Sequence, residues 1–251
     1  MKGDNKMTWL DGVLAVPAIG VKTQIGFDNI TNFESNVGKF AYRLEQEGEK
    51  FKIKKTEIWA YDIECDGGLM FKFSRISFVS SFKYRFIEKE QPGELPQMEV
   101  PNVLTYTELL EKTFGWINLM FDYFKNIPDL KYDRIGLVAS ANLEEKTTPP
   151  GVQKWMEYLG RPWRGSLLEV NVKTLSKLEE GENFSDRCHH QIEYLLNKVD
   201  EKGYNLTLDW QREFNRVKNF QEGDFRDTIE VCKNAALKYF DIFAQGDLNY
   251  E

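Results

Sequence analysis

Cysteine and histidine are scarce in this chain of 251 residues: three cysteines, Cys65, Cys188 and Cys232, stand far apart, and the only histidines are His189 and His190. An odd, dispersed cysteine set without a CxxC pair argues against a disulfide framework or a zinc ribbon and fits free thiols in a reducing cytoplasm. Long apolar runs are also missing. No 18 residues pass without a charge, so no transmembrane helix is expected, and Asp11 interrupts the N-terminal apolar stretch before it could serve as a signal peptide. Positive charge is not in excess either: 33 Lys and Arg against 40 Asp and Glu give a net charge of -7. That balance disfavours sequence-independent attraction to nucleic acid or anionic membrane. Gly-rich phosphate loops, GxSxG and HExxH do not occur, which removes the usual support for most enzyme classes.

What is present is core material, with 41% hydrophobic and 14% aromatic residues. This suffices for one large α+β domain or two small ones. Residues 14–27 read as a strand disturbed near Pro17. Asn32 is placed as the cap of a helix to about Glu47, in which Phe33, Val37, Phe40, Ala41 and Leu44 recur at helical spacing. Extended segments at 51–65 and 69–87 and a Pro-containing loop follow. Thr105 and Glu108 form a capping box for a helix through Leu109, Ile117, Met120, Phe121 and Phe124 that ends before Pro128. Residues 132–142 are again extended. The order strand, helix, strand, strand, helix, strand matches a ferredoxin-like βαββαβ layer with an antiparallel sheet.

The loop at Pro149 and Pro150 marks the best boundary, dividing residues 1–145 from 151–251, either as two lobes or as one continuous domain. The second part reads as a short helix at 151–159 burying Val152, Trp155 and Leu159, and three strands at 166–175, 187–198 and 204–213. A long helix over about 224–244 closes it, opening with Asp224 and Asp227. No convincing short repeat stands out.

Residues 61–68, YDIECDGG, place Asp62, Glu64 and Asp66 at strand spacing, as a metal-dependent nuclease would require of its ligands. Register supplies a simpler account. A three-residue turn, Asp66-Gly67-Gly68, pairs Ile63 with Phe71 and Tyr61 with Phe73 on the buried side, and sets Asp62 opposite Lys72 outside. Such an opposite-charge pair contributes roughly 0.2–1 kcal/mol. Cys188 and His190 share one face of a strand while His189 opposes them, which is too few ligands for zinc. GRPWRG places Arg161 and Arg164 around Trp163, a surface suited to anions, peptides or bases. Residues 50–89 hold nine Lys or Arg, Lys52 and Lys54 among them, against five acids. That local excess of four suggests an RNA-binding face, although no RNP-type stretch accompanies it.

Three patches, AIGVKTQIGF (18–27), RIGLVASAN (134–142) and LTLDW (206–210), resemble, in order and character, a sporadically distributed family of uncharacterised prokaryotic proteins of about 250 residues. The resemblance implies a prokaryotic cytoplasmic protein, suggests an antiviral-defence or mobile-element context, and assigns no catalytic residue. The expectation is therefore a non-enzymatic, protein-binding subunit without a cofactor, of a defence or toxin-neutralising assembly, with Arg161, Trp163, Arg164, Lys52 and Lys54 as binding candidates. A homo-oligomer is compatible with this reading, and nucleic acid is not favoured. A nuclease using Asp62, Glu64 and Asp66 and an RNA-binding module are the alternatives.

Overall fold

The computed structural model describes residues 8–84, 86–87, 97–98, 103–144, 146–154, 169–196, 202–220 and 225–245. Their architecture is α+β, built on a nine-stranded sheet in the order β2-β3-β4-β5-β1-β8-β11-β10-β9, with every neighbouring pair antiparallel. β1 is Leu14–Gln24, β2 Phe51–Glu57, β3 Ala60–Cys65, β4 Leu69–Ser74 and β5 Ser77–Phe82. β6 (Phe86–Ile87) and β7 (Gln97–Met98) form a separate two-residue ribbon. β8 is Lys131–Glu144, β9 Glu169–Gly181, β10 Phe184–Leu196 and β11 Lys202–Asn219. Helices α1 (Ile30–Gln46), α2 (Tyr106–Phe124) and α3 (Phe225–Gln245) complete the frame, and residues 150–154 are also helical. No helix among the described residues is long and apolar enough to cross a membrane.

The sheet is larger than a ferredoxin-like layer. Four main-sheet strands, not two, lie between α1 and α2, because each expected extended segment is itself a hairpin, reversing at Ile58-Trp59 and at Arg75-Ile76. Neither turn contains Gly, Pro, Asn or Asp, so the usual punctuation is missing. At the second turn, the Ser74 hydroxyl accepts from the Ile76 and Ser77 amides at 3.3 and 3.0 Å. The strands of the second part also run longer than expected, with a reversal at Glu182-Asn183. Charges such as Lys177, Glu179 and Glu180 resemble a loop in sequence but line an edge strand. The expected cap also moves: α1 is preceded by Asn29, not Asn32, and the Asn29 amide donates to the Pro128 carbonyl at 3.2 Å instead of capping. α2 starts as expected, with the Thr105/Glu108 capping box formed.

The core lies between the sheet and its helices. Phe40 of α1 meets Phe71 and Phe73 edge to face, each at 5.1 Å, while Phe124 of α2 stacks on Phe73 and meets Phe78 at 4.6 Å. Each buried ring of this kind stabilises by roughly 1.5–3 kcal/mol. Pro17 sits where β1 has begun pairing with β8 but not yet with β5, so its missing amide hydrogen costs little. The sheet is continuous across the expected boundary, because β1 pairs with β8 and β8 with β11.

The strand order is nearly symmetric about the β1/β8 pair, with four strands beyond β1 and three beyond β8, and each half runs from an opening strand through helical residues and a meander to a long helix. Sequence and register agree on the centre. Ile19-Gly20-Val21 echoes Ile135-Gly136-Leu137, and the pairing sets Gly20 against Gly136, Ile19 against Leu137 and Val21 against Ile135. An approximate two-fold axis thus passes between the glycines, relating two halves that share too few residues to register as a sequence repeat.

Candidate functional site

Alternation along the strands sends Ile19, Val21, Ile135, Leu137, Leu208 and Trp210 into the core and leaves the opposite face of the sheet to small or polar side chains. At its centre lies a groove of about 470 Å³. Ala18, Gly20, Ser77, Val79, Gly136 and Val138 are among its lining, bordered by Lys22, Arg134, Asp209, Gln211 and Ile76. Neither glycine is imposed by the backbone. Neither has a positive φ, and an added Cβ would meet ordinary contacts, 3.7 Å from Val79 at Gly20 and 3.5 Å from the Trp210 carbonyl at Gly136. Their effect is to keep the floor of the groove low, which permits close approach of another chain.

The polar border is internally bonded. Lys22 Nζ lies 2.9 Å from Asp133, Arg134 donates to Gln211 at 3.1 Å, and Gln211 donates to Asp209 at 2.8 Å. Glu213 pairs with both Arg134 and Arg187, at 3.6 and 3.2 Å.

The carboxylate row takes the register that sequence reasoning assigned to it. Asp62 faces Lys72 on β4 and Lys54 on β2, Glu64 faces Met70 and Lys52, and Ile63 faces Phe71 inside. Gly68 adopts φ 94°, closing the three-residue turn. Among the described residues no three His, Cys, Asp or Glu side chains are placed to hold a metal ion. Lys52 and Lys54 are exposed on the edge strand β2, where lysines also discourage edge-to-edge pairing. Arg161, Trp163, Arg164, Trp155, Leu159 and Asp224 lie outside the described residues.

All three cysteines are buried free thiols. Burial pushes the Cys188 thiol far up and raises Cys232 to about 12, so neither is a thiolate at neutral pH. His189 turns to the open face opposite Asp209, whereas His190 is buried beneath α3. The His190 ring stacks on Phe243, with Nδ1 3.1 Å from the Thr174 hydroxyl and Nε2 2.6 Å from the Tyr239 hydroxyl. Desolvation lowers its pKa to about 4.

Sequence reasoning missed Arg75 as a site residue. Its guanidinium lies 3.5 Å from the Phe27 ring centre and 5.4 Å from that of Trp59. This is the arginine-indole pairing anticipated in GRPWRG, but assembled from two turns 16 residues apart (59 to 75) that only the sheet brings together. The chain matches no family model, no curated protein and no solved structure among those compared. The three patches that carry the family resemblance lie on β1, β8 and β11, adjacent strands at the middle of the sheet.

Proposed function

We propose that this protein acts by binding another polypeptide on the open face of its sheet, as a non-catalytic subunit of a prokaryotic or phage-related assembly, in antiviral defence or toxin neutralisation. The observation that carries this reading is the groove across the β1/β8 pair, small and uncharged along its floor and lined by strand residues and the β4–β5 turn, with no helix residue in its lining. Its polar border is tied up in its own hydrogen bonds, and the two thiols with the largest shifts are protonated and buried. The assembly context rests on the family resemblance alone.

Co-expression with the products of neighbouring genes, followed by native mass spectrometry, tests the reading. A mass increase with one of them is expected, and Gly136→Phe, which fills the groove, should abolish it while leaving the far-ultraviolet circular dichroism spectrum intact. A partner retained unchanged by Gly136→Phe, or a lone chain in every combination, would remove the support for this function.

A further inference from the structure

Three chain reversals meet where β1 ends: the β1–α1 connection with Phe27, the β2–β3 turn at Ile58-Trp59 and the β4–β5 turn at Arg75-Ile76. Phe27, Ile58 and Ile76 are 69%, 69% and 68% exposed. Isolated exposed apolar residues need no explanation, but a cluster around one fixed cation does. Arg75 is that cation. Its Nε donates to the Ile25 carbonyl at 2.8 Å, and its guanidinium is held by Phe27 and Trp59, which meet edge to face at 5.8 Å. The Thr23 amide donates to the Ile76 carbonyl at 2.9 Å and the Thr23 hydroxyl to the Arg75 carbonyl at 3.3 Å, so the turn is pinned to β1 before any partner arrives. No carboxylate of the described residues forms an ion pair with Arg75.

The corner is continuous with the groove, because Ile76 borders both. At the adjoining end of the groove Lys22 and Arg134 stand directly opposite one another across β1 and β8, but Asp133 and Glu213 balance them, so the charge offered to a partner rests on Arg75. We propose that this corner docks an acidic, apolar peptide segment of a partner protein. One of the segment's carboxylates pairs with the terminal nitrogens of Arg75 while neighbouring apolar side chains cover Phe27, Ile58 and Ile76. An arginine backed by rings is weakly hydrated and gives up little on contact, and the apolar surround excludes water from the ion pair. Nucleic acid fits less well, since four apolar side chains around one cation offer nothing to successive phosphates.

The inference rests on the protein-binding reading and adds the chemistry of the bound segment. Fluorescence anisotropy of the full chain with a labelled twelve-residue probe peptide alternating Glu or Asp with Leu or Phe tests it, beside a control in which Lys replaces the acids. The acidic probe should bind, the Lys probe should not, and Arg75→Gln should weaken binding by about tenfold or more. Ile58→Ser, which leaves the Arg75 contacts in place, should also weaken it, guarding against a fold defect in the first variant. Equal binding to wild type and Arg75→Gln, or equal binding of both probes, overturns the proposal. So does self-association in sedimentation velocity that Arg75→Gln abolishes, which would make a second copy the occupant, or Arg75-dependent capture of a single-stranded oligonucleotide without capture of the acidic probe. If the acidic probe fails while Gly136→Phe still strips a co-encoded partner, the corner assignment falls and the groove reading stands.

Discussion

Removing the Asp186 carboxylate should destabilise the protein far more than removing its whole ion pair. Asp186 and Arg212 are 2% and 7% exposed, and the guanidinium Nε and Nη2 each donate to the carboxylate at 2.7 Å. The guanidinium also lies 3.9 Å over the Phe184 ring. Asp186→Ala leaves Arg212 buried beneath α3 without the carboxylate that binds it, a loss of about 3–5 kcal/mol. Against a usual total of about 5–15 kcal/mol, that is a large fraction. The double variant Asp186→Leu with Arg212→Met removes both desolvation costs at similar volume and should lie within about 1 kcal/mol of wild type, or above it. Urea unfolding followed by tryptophan fluorescence and far-ultraviolet circular dichroism measures both, provided the denaturant slope is unchanged. A cost below about 1 kcal/mol for Asp186→Ala, or a double variant as damaged as the single one, would refute the reasoning.

Gly68→Ala should cost about 2 kcal/mol or more, since φ is 94° and a Cβ would stand 2.7 Å from the Lys83 carbonyl oxygen; a thermal midpoint equal to wild type would contradict this. His190 titrates at about 4 when folded, below its unfolded value near 6.5, so the unfolded chain binds the extra proton first as pH falls. Stability attributable to this ring should therefore be complete above pH 6.5 and decline toward pH 4 by up to about 3 kcal/mol. His190→Gln should flatten that part of the urea-midpoint profile, and an unchanged slope would show that the ring is not responsible.

Much of the first half was legible because its signals are local. The Thr105/Glu108 box, the apolar spacing of α1 and the Asp66-Gly67-Gly68 turn each act within a few residues, and the last of these fixed Asp62 opposite Lys72 by counting alone. The hairpins hidden in 51–65 and 69–87 were not legible, since their turns use Ile, Trp, Arg and Ile, and the Ser74 hydroxyl that holds the second was the one available signal. Arg75 was visible only as one charge among nine; its role depends on Phe27 and Trp59, which tertiary pairing delivers. The groove was invisible for a related reason, because Gly20 and Gly136 acquire meaning only when β1 and β8 pair.

The approximate symmetry also bears on what the open face can accept. Positions equivalent about the Gly20/Gly136 pair have diverged: Ala18 corresponds to Arg134, Lys22 to Val138, Val79 to Gln211 and Ser77 to Asp209. Antiparallel pairing then brings Lys22 beside Arg134 at one end of the groove and Ala18 beside Val138 at the other. A two-fold backbone therefore carries a directional surface: the ion-paired Lys22 and Arg134 stand toward the Arg75 corner, and Asp209 stands beside Val138 at the far end. A symmetric pair of identical segments would meet favourable charge at one end only. Under the docking proposed above, a single segment with its acidic end at the corner keeps its carboxylates away from Asp209, so one asymmetric segment fits this face better than two equivalent ones would.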